Sequence, residues 1–299
     1  MDRYDCLYEK YSSQMSTVIS DGLAAREEFQ ARFASKLEGM HLIELNSSNA
    51  GEGFLYYVQW TDEVTHCYVP VYGYFAESEK TMVKLFQKLA DTVVNGGVCD
   101  FSIHLYSGDT ACISAFHMMQ FGNMSEKCVK LLESKDITGG MLDIRVLEKE
   151  EIERHWKEIW DATENIVKHL RCSPVFYPGN EFTEEVYHDY YTSDSLELIA
   201  AYDNGKLAGI IEWNAEDCEM VGKEGQSANV GEAFVYPAYR GTGLAEKLLG
   251  FAELRAISEG YRYMWVEHGT ANPNARGFWN KYFTTYQYEL VRRIVPVLC

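Results

Sequence analysis

The spacing of hydrophobic and polar positions alternates between a strand period and a helix period along this chain, most plainly in its second half. Leu196–Tyr202 and Lys206–Trp213 are apolar, β-prone runs flanking Asp203-Asn204-Gly205. Asn-Gly between two such runs predicts a β-hairpin, because both turn residues accept a positive φ. Ahead of them, Asp143–Leu147 reads as a strand, and Glu150–His169 and Glu181–Tyr191 carry helical spacing. A third apolar run covers Ala228–Tyr236, a turn with two glycines follows, and helical spacing returns from Glu246 to about Ser258. Tyr263–Val266 reads as a buried strand. Asn272-Pro273 then opens another helix, with asparagine as cap and proline at the first helical position. The predicted order is strand, helix, helix, three strands, glycine turn, helix, strand, helix, strand, which describes a mixed α/β sheet.

The first half repeats this order weakly. Tyr68–Phe75 parallels the strand before the glycine turn, and Thr81–Val94 the helix after it. Cys99–Tyr106 and Asp109–Phe121 parallel the next strand and helix. Lys84 and Lys247 open similar helical runs, and Phe121 and Phe283 close the next helices at almost the same spacing. This predicts two tandem domains of one kind; an unrelated α/β domain of similar alternation is the other reading. The polar, glycine-rich Ser134–Gly140 marks the boundary, giving domains at 1–138 and 141–299. Tyr11–Leu37 reads as helical, with Phe29, Phe33 and Leu37 at four-residue spacing.

The richest chemistry lies in Tyr239-Arg240-Gly241-Thr242-Gly243-Leu244-Ala245, between a strand and a helix. Glycine lets the backbone approach an anion, and the first N–H groups of the helix point outward without intrahelical partners. A dinucleotide fingerprint would need a third glycine, and a Walker-type loop would need Gly-Lys-Ser/Thr where Gly243-Leu244-Ala245 stands. At the repeat offset the first half carries Glu77-Ser78-Glu79-Lys80-Thr81-Met82, with no glycine and two carboxylates, so it is expected to repel a diphosphate.

With Arg240, Gly243 and Ala245 in place, the run resembles the coenzyme A pyrophosphate loop, Arg/Gln-x-x-Gly-x-Gly/Ala, of the GNAT acyltransferase superfamily. A second motif of that family, Asn-x-x-Ala-x-x-(Phe/Leu)-Tyr, is matched by Asn272, Ala275 and Phe278 and broken by Trp279 at the last position. The resemblance covers roughly residues 141–299 and implies tandem GNAT-like domains, the N-terminal one a degenerate copy without cofactor. It implies acetyl-CoA as cofactor, held by the backbone of Ala233, Phe234 and Val235, by the loop from Arg240 through Gly241, Thr242, Gly243 and Leu244 to Ala245, and by Asn272, Ala275, Phe278 and Trp279. It implies N-acetyl transfer to a primary amine of a small molecule or amino-acid-like acceptor. The alternative is a non-catalytic coenzyme A-binding or regulatory protein that keeps the fold. In the family the last motif residue protonates the departing thiolate; an indole N–H only donates a hydrogen bond, so Trp279 leaves that role open.

Acyl transfer needs a base for the amine and a hydrogen-bond donor for the thioester oxygen. Glu232 is the only carboxylate on its strand, and burial would raise its pKa toward the range of a general base; a solvated edge position is the other reading. His268 is the second candidate base, or else a capping or core residue. Tyr282 is the candidate acid nearest to Trp279, ahead of Tyr286 and Tyr288, all three of which also suit packing. Gly231 is expected to host a β-bulge. Glu216–Gln226 reads as either an acceptor-contacting or a solvated loop.

Hydrophobic content of 46% supplies full cores for 299 residues. A net charge of −18 argues against a nucleic-acid partner. It leaves a local anion site intact, since screening confines distant charges to about 8 Å; Arg240, Lys247, Arg276 and Lys281 fall in the two motifs. The surplus acidity either favours a cationic acceptor or serves solubility. No apolar run approaches a membrane span, no signal-peptide pattern opens the chain, and the 8 cysteines form no Cys-x-x-Cys pair. The expectation is a cytoplasmic protein, without a metal or membrane partner, as a monomer or homodimer.

Overall fold

The computed structural model describes residues 2–47, 51–134, 142–177, 182–222 and 224–294. The first half runs α1 (Arg3–Met15), α2 (Arg26–Glu38), β1 (His41–Ser47), β2 (Gly51–Thr61), β3 (Thr65–Val69), β4 (Tyr74–Ala76), α3 (Glu79–Val93), β5 (Val98–Tyr106), α4 (Thr110–Met118) and β6 (Gly122–Leu131). The second runs β7 (Asp143–Val146), α5 (Lys149–Arg171), α6 (Glu184–Tyr191), β8 (Leu196–Asp203), β9 (Lys206–Asn214), β10 (Ser227–Val235), α7 (Leu244–Ser258), β11 (Tyr263–Gly269), α8 (Pro273–Tyr282) and β12 (Thr284–Arg293). The order of the first half recurs in the second, with β7 added ahead of its helices. No helix of the described residues is long and apolar enough to cross a membrane.

The chain packs as two compact units, Met1–Cys128 with Thr284–Cys299, and Val129–Phe283. The boundary expected at Ser134–Gly140 lies, apart from Ser134, outside the described residues. What the sequence order did not reveal is that β12 joins the first unit. There it lies between β5 and β6 and runs antiparallel to β5, from Gln287 opposite Tyr106 to Arg293 opposite Asp100.

In the first unit, α3 follows from its apolar spacing: Met82, Leu85, Phe86 and Leu89 are buried on one face. Phe86 meets Phe101, Phe116 and Phe121 edge-on, with ring centres 5.1–5.6 Å apart. The helical stretch expected over Tyr11–Leu37 is two helices, because the chain turns through Ser20-Asp21-Gly22. The strand expected over Tyr68–Phe75 is also two: β3 and β4 both pair β2, on either side of Pro70–Gly73.

The second unit holds the strand order β11-β10-β9-β8-β7. All neighbours are antiparallel except β10 and β11. Asn204 (φ 47°) and Gly205 (φ 81°) make the β8–β9 hairpin turn. The β9–β10 register slips between Val230 and Ala233, so Gly231 and Glu232 form the expected bulge. The two units thus repeat one plan: where β10 is bulged, the corresponding strand of the first unit breaks into β3 and β4. One face of the second sheet packs Leu198, Ala200 and Ile210 against Ile152, Ile159 and Tyr187 of α5 and α6.

Candidate acyl-transfer site in the second unit

The site is built around the exit of β10. β10 and β11 pair in parallel at only three positions, from Ser227 opposite Tyr263 to Asn229 opposite Trp265. Past Asn229 their paired register ends, while β10 continues along β9 to Val235. Ala233, Phe234 and Val235 stand on that last stretch of β10.

The turn that follows is exposed and twisted into the left-handed region at Gly241 (φ 76°) and Gly243 (φ 83°). A Cβ at either glycine would meet nothing within 4 Å, so backbone twist rather than crowding demands glycine here. The first backbone bond of α7 runs from the Lys247 N–H to the Gly243 carbonyl, 3.1 Å. The amides of Leu244, Ala245 and Glu246 precede it and are not consumed by the helix. Gly243, as N-cap, supplies no side chain to cover them. Arg240, at the start of this turn, reaches back to β10, its Nε donating to the Val235 carbonyl at 3.0 Å and its guanidinium 5.8 Å from the Phe234 ring centre. Thr242 Oγ1 donates to the Tyr239 carbonyl, 2.6 Å. The positive end of α7 and its uncommitted amides are the elements from which anion sites are made.

The equivalent place in the first unit is closed. Ser78 caps α3, its Oγ accepting the Thr81 N–H at 3.2 Å. Glu77 is bound to β2, its carboxylate accepting the Glu52 N–H at 2.9 Å. The chain's own Ser78 side chain occupies this helix start.

Asn272 opens α8 as the sequence predicts, its Oδ1 accepting the N–H groups of Asn274 and Ala275 at 3.1 Å each. His169 of α5 approaches the same oxygen at 3.0 Å. Phe278 and Tyr282, four residues apart, share one side of α8 with ring centres at 5.3 Å. Trp279 lies on another side, 6% exposed and 5.6 Å from Phe283. The Tyr282 hydroxyl accepts a hydrogen bond from Lys281 Nζ, 2.7 Å.

Beside the bulge stand two carboxyl groups. Glu232 accepts the Tyr187 hydroxyl at 3.0 Å, and burial pushes its pKa up. Glu212, on β9, was not singled out from the sequence. It is 2% exposed, and its Oε1 accepts the backbone N–H of Glu232 at 3.1 Å. Its Oε2 is buried and accepts no hydrogen bond of normal geometry. Burial first, and then the Glu232 charge, push its pKa up to about 7. Gly231 makes this arrangement possible: a Cβ there would collide with Glu212 Oε1 and come within 3.3 Å of its Cδ. The signal in the sequence was a lone acid inside the apolar run Ile210-Ile211-Glu212-Trp213, whose strand pairs with the glycine-containing one.

The three candidate proton carriers sit in different settings. Glu232 meets Tyr187; His268, on β11, bonds through Nε2 to Asn280 Oδ1 at 3.1 Å; Tyr282 meets Lys281. Tyr286 and Tyr288 belong to β12 of the first unit, where Tyr286 is buried. The Glu216–Gln226 segment is anchored rather than loosely solvated. Asp217 accepts N–H groups from Gly225 and Ser227 at 3.0 and 3.2 Å, and Cys218, Met220 and Val221 are buried.

Residues 163–283 match the family described as Acetyltransferase (GNAT) family. No curated protein matches the chain. Among solved structures, a GCN5-related N-acetyltransferase from Sphaerobacter thermophilus superposes with a TM-score of 0.57 at 14% identity, covering 99% of this chain and 93% of that one. A tandem GNAT protein from the clavulanic acid biosynthesis pathway gives a TM-score of 0.46 at 13% identity, covering 98% and 96%. A conserved protein from Staphylococcus epidermidis ATCC 12228, described as functionally unknown, gives 0.49 at 11% identity, covering 88% and 98%. Strand order, the parting of β10 from β11 and the match over residues 163–283 agree on one fold for the second unit, that of the GNAT acetyltransferases.

Proposed function

We propose that the second unit binds acetyl-CoA and transfers its acetyl group to a primary amine of a small acceptor. The observation that carries this reading is the placement of two carboxyl groups, Glu232 at the bulge of β10 and Glu212 opposite it on β9, upstream of an open, glycine-twisted helix start at the end of β10. That helix start fits a diphosphate. The amides of Gly241, Gly243, Leu244 and Ala245, with Arg240 and Thr242 beside them, would hold it. The backbone of Ala233, Phe234 and Val235 would hold the pantetheine arm. Asn272, Ala275, Phe278 and Trp279 would contribute from α8. Acetyl-CoA supplies a thioester carbonyl for attack and a thiolate as leaving group.

The protein's own part is proton management. The acceptor arrives as an ammonium and attacks only when neutral. The ionised Glu232 takes that proton, while Glu212 keeps its own, since two ionised carboxylates this close repel. Tyr187, donating to Glu232, fixes the orientation of that carboxylate. The Glu232 amide is already given to Glu212, so the thioester oxygen must be met by an amide further along β10. Tyr282 carries the proton for the departing thiolate, a role the Trp279 indole cannot fill.

Two measurements test the reading: calorimetric titration with acetyl-CoA, and thiol release across a panel of primary amines. Glu232→Gln is expected to lower turnover by at least about 100-fold with acetyl-CoA affinity nearly unchanged, whereas Gly243→Asp removes binding. Near-normal turnover in Glu232→Gln dismisses it as the base. Uptake of acetyl-CoA without transfer to any amine favours the second reading, a non-catalytic coenzyme A-binding or regulatory protein, to which the buried tryptophan at the usual acid position lends support. The cysteines of the described residues are free thiols, which suits a reducing compartment, and we place the protein in the cytoplasm as a monomer or homodimer.

A further inference from the structure

The acetyl-transfer reading leaves the acceptor as any small amine; the side chains leading to Glu232 narrow it. Tyr187 is buried, and its hydroxyl ends on Glu232. From its ring a series of aromatic contacts runs outward, to α5 on one side and to Phe182 and Tyr177, which lie between α5 and α6 in sequence, on the other. Phe182 stacks at 6.3 Å from Tyr187, and Tyr177, 38% exposed, lies 5.8 Å from Phe182. On the other side Trp160 stands 6.2 Å from Tyr187, with Trp156 stacked 6.3 Å beyond it. Trp156, Trp160 and Phe182 are only partly buried, although each packs on the core. Carboxylates edge the series: Glu184 accepts the Trp156 indole N–H at 3.0 Å, and Asp161 accepts the Tyr236 hydroxyl at 2.7 Å.

A partly open, flat-faced apolar wall that ends at a half-buried proton acceptor asks two things of a ligand. One end must be an amine able to give up a proton at the carboxyl pair. The other must offer a broad apolar face to the indoles and phenyl rings, where ring-on-ring contact adds to simple burial. The ammonium approaching along such a wall is favoured by ring faces and by the flanking acids, whereas an acceptor bearing its own carboxylate is opposed by those same acids. Hydroxyl-rich acceptors would lose solvation against this wall without finding partners. We infer that the acceptor is a primary amine joined by a short arm to an aromatic or similarly broad apolar group, seated against Trp160 and Phe182 with its nitrogen at Glu232. This rests on the acetyl-transfer reading for the reaction but not for the binding.

The test compares 2-phenylethylamine with ethanolamine and glycinamide as acceptors in the full chain with acetyl-CoA. Burying one phenyl group predicts a preference in kcat/KM of about 30- to 100-fold for 2-phenylethylamine. Trp160→Ala is expected to raise its KM about tenfold and to narrow its preference over ethanolamine to a similar extent, and Trp160→Phe to restore most of the loss. Equal kcat/KM for the three amines, or a preference untouched in both Trp160→Ala and Phe182→Ala, overturns the inference while transfer itself stands. Should no amine be acetylated, the inference is decided by tryptophan fluorescence in the presence of coenzyme A. Saturable quenching by 2-phenylethylamine that Phe182→Ala weakens supports it, and absence of quenching overturns it. Circular dichroism of each variant separates lost contact from lost fold.

Discussion

Replacing Gly231 by alanine probes the tightest piece of local design in the second unit. The backbone there is not in the left-handed region, so alanine meets no conformational penalty. What it meets is Glu212, whose Oε1 would fall well inside the 3.0 Å that real Cβ atoms keep, with Cδ at 3.3 Å. Ordinary contact would require the carboxyl group to retreat by about 1 Å. Retreat breaks its bond to the Glu232 amide, 3.1 Å, leaving a buried N–H unpaired at a cost of about 1–3 kcal/mol. A displaced rotamer in packed surroundings adds about 1 kcal/mol. The expected destabilisation is therefore about 2–4 kcal/mol, read as a lowered urea midpoint followed by tryptophan fluorescence. The same substitution in a Glu212→Ala background should cost under about 0.5 kcal/mol, since the atom it strikes is gone. A cost that is equal in both backgrounds would show that the glycine serves the bulge alone and that the Glu212 notch has no role.

Two further perturbations test Glu212 itself and the cap of α8. Glu212 holds its proton more tightly in the folded chain than at its ordinary value of 4.5, so its contribution is fully present below that value and fades as pH rises toward about 7. At about 1.4 kcal/mol per pH unit this amounts to about 3 kcal/mol between pH 4.5 and 8; Glu212→Gln should flatten the fall in urea midpoint over that window, and an unchanged slope would exclude Glu212 as its source. Asn272→Ala removes the cap of α8 and should cost about 1 kcal/mol, with acetyl-CoA affinity falling alongside, measured by thermal unfolding and calorimetric titration; an unaltered melting curve would show that the cap carries no stability.

The local rules of the chain were legible because each element announces itself over a short window. Asn204-Gly205 sets the hairpin, Asn272-Pro273 starts α8, and Gly241 and Gly243 mark the turn whose φ values only glycine adopts readily. The features that stayed hidden depend on partners far along the chain. Glu212 gains its meaning only from the β9–β10 register, which sets it against Gly231 and Glu232. The pairing of β12 with β5 joins the end of the chain to residues near its first third, and no window of sequence carries that information. The break in the first long helix was present as Ser20-Asp21-Gly22 but was outweighed by the regular spacing of Phe29, Phe33 and Leu37. For the wall proposed above, Trp156 and Trp160 of the amphipathic α5 read as core until their partial burial is seen.

The position of β12 constrains how the polypeptide matures. A ribosome delivers the first unit's other strands long before Thr284–Arg293 emerges, and until then β5 and β6 lack the ribbon that lies between them. Early domains on a growing chain ordinarily complete themselves first; this one must wait for the last. Separating the chain between β6 and β7 would therefore leave the front fragment without the strand that lies between β5 and β6, with two unpaired edges in its place.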